Sequence, residues 1–273
     1  MLNNQTASQL TKLRMPVMAA EFLRQLETPA MDALDFAERV GMMVDAEVLA
    51  RDNSKLKRLI KAANLRVSGA CLADIDYRPS RRLERAYIAR LSDFAWVKSA
   101  HNIILTGATG TGKTWLACAF GAEACYKGLS VAFYRVNRLM NEMSAAGESG
   151  LPKLLARLKK HDILILDDWG LTGITPLESR FLHEIFEDRY EERASILSSQ
   201  IPVANWHDLF EDKTIADAVL DRVVHNSYRI ELHGASLRNT SKVDGTAPCG
   251  AQGQNTGAQS VIPHHDEDGD VSE

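Results

Sequence analysis

Apolar positions recur at helical spacing through the first part of the chain. Leu10, Leu13, Val17 and Met18 fall on one stripe that Phe22, Leu23 and Leu26 continue. Pro16 interrupts it and predicts a kink or a boundary. Asp35-Phe-Ala-Glu38 has the form of a capping box and opens a second run through Val40, Met43 and Val44. A third run, Leu56 to Ala63, sets Leu56, Leu59, Ile60 and Ala63 on one face. With no period-two stretch in this region, residues 1–90 are expected to form a small all-helical domain.

From about residue 100 the pattern changes. Apolar, partly β-branched runs occur at 102–106, 131–136, 163–166, 195–197 and 229–232, with helical patterns between them, including 113–126 and 177–191. Strand and helix in alternation predict an α/β fold, a parallel sheet covered on both faces, over residues 91–240. Residues 241–273 are rich in Gly, Gln, Ser, Thr and Asp with hardly any aliphatic side chains. Such a composition buries too little apolar surface to offset ordering entropy, so a disordered tail is expected there.

Composition narrows the classes. Of 273 residues, 45% are apolar and 25% charged, ordinary values for a globular protein with a sizeable core. No run approaches the ~20 apolar residues that span a bilayer, so no membrane association is expected. The first ten residues lack the pattern of a secretory signal. The four cysteines show neither CxxC spacing nor a paired His, so a cytoplasmic protein with reduced thiols is the default. The net charge of −4 hides an uneven distribution: residues 51–90 carry 11 Lys/Arg against 4 Asp/Glu, a candidate anion-binding surface.

The strongest chemical signal is Gly107, Ala108, Thr109, Gly110, Thr111, Gly112, Lys113 and Thr114, which matches GxxxxGK[ST] between an apolar strand and a helical run. The glycines let successive N–H groups turn inward, and the helix adds the positive end of its dipole. Lys113 sets an ammonium against the β- and γ-phosphates of ATP, and Thr114 offers a hydroxyl to Mg2+. The other half of the site is Ile163-Leu-Ile-Leu-Asp167-Asp168, a buried strand ending in carboxylates. Asp167 is expected to hold the metal beside Thr114, and Asp168 to orient the attacking water. Lys113 and Asp167 lie 54 positions apart with a full strand between them, so the metal strand is not the next in sequence. Adjacent carboxylates point to hydrolysis, and the segment after Asp168 offers no Arg-rich lid or acceptor site of a kinase. Ser198 and Ser199, at the end of a further strand, are candidates to sense the γ-phosphate. Arg222 and Arg238 are candidates to bind phosphate charge. Phe94 and Trp96 are either adenine contacts or core, and core is the expectation.

With these residues in view the chain resembles the IstB-like transposition helper ATPases, relatives of DnaC-type helicase loaders within the AAA+ group of P-loop NTPases. The resemblance runs over residues 8–240. It is carried by 107–114, Ile163-Leu-Ile-Leu-Asp-Asp-Trp-Gly170, Ser198-Ser-Gln-Ile-Pro202, Leu220-Asp-Arg-Val-Val-His-Asn226, Gly234-Ala-Ser-Leu-Arg238 and the linker-like Asp74-Ile-Asp-Tyr-Arg-Pro-Ser80. It implies a five-stranded parallel AAA+ core, binding of ATP and Mg2+, and a homo-oligomer on double-stranded DNA that works with a cognate transposase. By family pattern Arg222 takes the place of the trans-acting arginine finger and Arg238 that of the second sensor. Ser199 is the choice for the first sensor. Asp168 stands where many AAA+ proteins carry Glu, which implies slow hydrolysis.

Two basic rows complete the reading. If Ser80 caps a helix, Arg81, Arg82 and Arg85 line one face of it with Arg78 just ahead, and Arg51, Lys55 and Arg58 make a second row. Such rows neutralise DNA phosphates without reading bases. Sparse aromatic interleaving (Tyr77, Tyr87) favours duplex over single strands. The alternatives are a DnaC-like replicative helicase loader, which would bind a helicase, and a scaffold that binds ATP without hydrolysing it.

Overall fold

A computed structural model describes residues 2–237. The tail expected at 241–273 and Arg238 lie outside the described residues. The order is α1 (Leu2–Lys12), α2 (Pro16–Glu27), α3 (Phe36–Ala63), α4 (Arg85–Leu91), α5 (Ala95–Lys98), β1 (Asn102–Gly107), α6 (Lys113–Tyr126), β2 (Val131–Arg135), α7 (Val136–Lys159), β3 (Ile163–Trp169), α8 (Pro176–Glu187), β4 (Ala194–Ser199), α9 (Lys213–Val224) and β5 (Ser227–Leu232). No helix among the described residues is long and apolar enough to cross a membrane.

Pro16 marks a boundary: it opens α2, where its missing N–H costs nothing. The amides of Val17 and Met18 donate to a Glu47 carboxylate oxygen at 2.9 and 3.0 Å, so a side chain of α3 caps α2. Asp35 and Glu38 form the expected capping box at the start of α3. The two separate runs expected between 36 and 63 are one helix of 28 residues, ended by Asn64 in the left-handed conformation. Its first half packs on α2. Its last turns, through Leu56, Leu59, Ile60 and Ala63, join the core beneath the sheet. Packing is therefore continuous across residue 90.

The five parallel strands run in the order β2-β3-β4-β1-β5. Successive side chains of each strand enter opposite cores. Ile103, Leu105, Ile163, Ile165 and Ile196 face α6 and the end of α3, whereas Ile104, Leu164, Leu166 and Leu197 face α7, α8 and α9. Burial on both sides explains why these strands read as continuous apolar runs. Phe94 and Trp96 are both 3% exposed and belong to the first of these cores, as expected. Arg189 staples the N-terminal ends of the strands, donating to the carbonyls of Leu158 and His161 at 2.9 Å and to that of Ala194. Burial pulls its pKa down to about 9, so it remains charged at neutral pH.

Candidate nucleotide site

The order of strands decides what meets at the C-terminal edge. β4 lies between β1 and β3, pairing Leu105 with Ser198 and Thr106 with Ser199. The polar end of β4 therefore separates the P-loop from the carboxylates of β3, in the crevice where open α/β sheets bind ligands. Gly107, Gly110 and Gly112 take φ of 144°, 84° and 92°, a region that side-chain-bearing residues rarely adopt. At Gly107 a Cβ would lie 2.3 Å from the Leu232 carbonyl oxygen, so β5 also requires glycine there.

Lys113 opens α6 and its ammonium donates to the carbonyls of Gly107 and Ala108, both at 2.8 Å, along the inner wall of the loop. Thr114 donates to Asp167, with its hydroxyl 2.8 and 3.0 Å from the two carboxylate oxygens. Asp167 is fully buried, and the Ser198 hydroxyl also donates to it. A hydroxyl and a carboxylate, all hard oxygen donors at a phosphate loop, are the ligand set that suits Mg2+. A magnesium ion held by Thr114 and Asp167 would neutralise charge on the nucleotide's phosphates.

Asp168 takes a left-handed backbone, φ 62°, where the β3–β4 register shifts between Leu166 and Trp169. Its carboxylate leaves the Asp167 cluster and sits 3.7 Å from Arg135. Ser198 and Ser199 separate in the same way. Ser199, the sequence-based choice for the first sensor, donates to the Trp169 carbonyl at 2.8 Å and accepts from the Ile201 amide at 3.0 Å. Its bonds tie the end of β3 to the turn after β4, and Ser198 is the serine that faces the carboxylate. Arg222 lies at the opposite end of the sheet. The Asn102 side chain at the start of β1 donates to its carbonyl at 3.3 Å, and its guanidinium is held by Glu187.

The row 78–85 needs correction. Ser80 does not cap a helix: Pro79–Arg81 is a single 3-10 turn, Arg82 is left-handed at φ 51°, and α4 starts only at Arg85. Arg81, Arg82 and Arg85 therefore share no helix face. Arg78 binds Asp76 at 2.7 Å, and Arg85 stacks on Tyr77 at 4.5 Å from the ring centre. Arg82 is exposed. Arg81 is buried, and its guanidinium donates to the Thr111 carbonyl at 2.6 Å beneath the P-loop, so it presents no charge to a duplex. Arg51, Lys55 and Arg58 do lie exposed along α3, Arg51 bound to Glu47 at 2.9 Å.

Sequence reasoning missed three contacts. Gln200 accepts from the Thr109 hydroxyl at 2.6 Å, bridging β4 to the loop apex. Arg81 braces the loop from the linker, and Arg66, just after α3, lies 3.6 Å from Asp167. Gln200 was legible as the polar residue that ends the strand; the two arginines carry no local signal.

The IstB-like ATP binding protein family matches residues 8–245, most of the chain. This protein belongs to that family. The ATP-binding protein of insertion sequence IS1162 from Pseudomonas fluorescens is 42% identical over 203 residues, 74% of this chain and 88% of its own length. That of insertion sequence IS21 from Pseudomonas aeruginosa is 31% identical over 235 residues, 85% of this chain and 88% of its own. Among solved structures, the crystal structure of DnaI superposes with a TM-score of 0.52 at 21% identity, covering 64% of this chain and 93% of that one. AMPPCP-bound DnaA from Aquifex aeolicus gives 0.50 at 22%, covering 60% and 50%. What these structures share with the present chain is the AAA+ fold built on a parallel sheet; in this chain a helical region precedes it.

Proposed function

We propose that this IstB-like protein is an ATPase that assists a transposase, and that Mg2+ and ATP at the P-loop drive its assembly on double-stranded DNA. The observation that carries the reading is the buried Asp167 with the Thr114 hydroxyl on both its oxygens, beside Lys113. In this scheme Lys113 holds the terminal phosphates, Thr114 and Asp167 hold the metal, and Asp168 orients water. Ser198, in place of Ser199, takes the part of first sensor. Arg222 acts on a neighbouring copy's nucleotide, and Arg238 serves as second sensor. The insertion-sequence relatives favour a transposase over a replicative helicase as partner.

Residues 1–90 serve DNA and partner in this reading, residues 91–240 form the ATPase, and residues 241–273 are a tail. Eight of the thirteen large apolar side chains exposed among the described residues lie in α1–α3, Phe36 at 83% and Leu49 at 63% among them. So concentrated an apolar surface suits a partner. The exposed Arg51, Lys55 and Arg58, with Arg78, Arg82 and Arg85, supply positive charge for duplex phosphates. Binding to DNA should then weaken steeply with salt. Lys113→Ala is expected to abolish ATP-dependent assembly on duplex DNA, measured by sedimentation with and without nucleotide. Assembly by that variant that still depends on ATP contradicts the reading.

A further inference from the structure

The only arginine that reaches Asp167 among the described residues comes from outside the P-loop and the sheet. Arg66 stands two residues beyond the left-handed Asn64 that ends α3, and its guanidinium is 3.6 Å from the Asp167 carboxylate. The carboxylate is fully buried, while the Arg66 side chain is 39% exposed. The backbone around it packs on α6. Cys118, four residues along that helix from Thr114, lies beside the backbone of Arg66 and Val67. Leu65 packs so closely over Gly121 that a Cβ there would come within 2.9 Å of it. The exposed side chain has room to move. It borders a cleft of about 770 Å³ that Arg135, Arg138 and Arg157 also line.

Charge decides what moves it. One guanidinium suffices for one buried carboxylate. A divalent cation shared by Asp167 and Thr114 would set two further positive charges against Arg66, and like charges at this spacing in a shielded site repel strongly. A terminal phosphate supplies the anion that keeps the guanidinium in place, and a planar fork suits phosphate oxygens. A diphosphate would lack that group.

We propose that Arg66 is a nucleotide-discriminating residue that exchanges Asp167 for the γ-phosphate of bound ATP and so reports a triphosphate, not a diphosphate, to the end of α3. This rests on the ATPase reading and adds to it a contact from the helical region.

Affinities for fluorescent ATP and ADP analogues, each with Mg2+, test it in the full chain carrying Arg66→Gln or Arg66→Lys. Arg66→Gln is expected to weaken ATP about tenfold, the loss of one charge-assisted bond, and ADP hardly at all. Arg66→Lys should fall between. Hydrogen exchange at the Arg66 and Val67 amides should be slowed by ATP but not by ADP in the unaltered protein, and equally fast with both in Arg66→Gln. An unchanged ATP/ADP ratio, or equal weakening of both nucleotides, overturns the proposal and leaves the ATPase reading standing. Failure of the unaltered protein to bind either nucleotide removes both.

Discussion

At the scale of single residues, neighbours in sequence part company at the site. Successive residues of a strand point to opposite faces, so of Ser198 and Ser199 only one can meet Asp167. The sequence places both at the strand end, but the register with β1 and β3 that selects between them comes from pairing far along the chain. Ser198→Ala is expected to leave ATP binding intact and slow hydrolysis about tenfold or more. Ser199→Ala should instead strip partners from the Trp169 carbonyl and the Ile201 amide, destabilising the fold by about 1–3 kcal/mol. Chemical denaturation and single-turnover ATP hydrolysis separate the two effects. Ser198→Ala with full hydrolysis would remove it from the mechanism. The P-loop was legible for the opposite reason: a run of eight residues contains its whole geometry.

At the scale of elements, strands buried on both faces and helices with their own caps were readable, because the signal is local. The α6 range and the Asp35 capping box follow directly from residue spacing. The basic row at 78–85 was not readable, because its helical spacing runs through a Pro-Ser turn that tertiary contacts with the P-loop hold in another shape. Glu47 illustrates a further limit: its role as the cap of α2 depends on the meeting of two helices. The Met18 amide, then Arg51 and the Val17 amide, hold its carboxyl below the usual carboxylate range. A depressed acid stabilises the fold fully above its unfolded pKa of about 4.3 and ceases to do so as pH falls through the lower folded value. Acid should therefore loosen α2 from α3, and Glu47→Gln should weaken that docking at neutral pH while flattening its acid dependence. Circular dichroism across an acid titration measures both; equal slopes for the two proteins would refute the cap's role.

At the scale of the whole molecule, Arg222 and the P-loop occupy opposite ends of a sheet whose strands run about 17–20 Å. An arginine so placed is far from its own P-loop, and under the proposed function it serves a neighbouring copy. Arg222→Ala is expected to retain ATP binding and lose hydrolysis. Mixing it with Lys113→Ala, which keeps the arginine but not the phosphate site, should restore part of the activity. Two inactive variants that stay inactive when mixed on DNA would exclude a site shared between copies.

The uninterrupted α3 gives this arrangement a mechanical reading. A rod of 28 residues is about 40 Å long, so a rotation of roughly 5° at its pinned end sweeps the far tip through about 3–4 Å. The pinned end is near Asp167 and the P-loop, and the sweeping end carries the apolar residues left uncovered by α1 and α2. If Arg66 answers to the γ-phosphate as proposed, a change of one phosphoryl group would be magnified into a displacement the size of a side-chain contact.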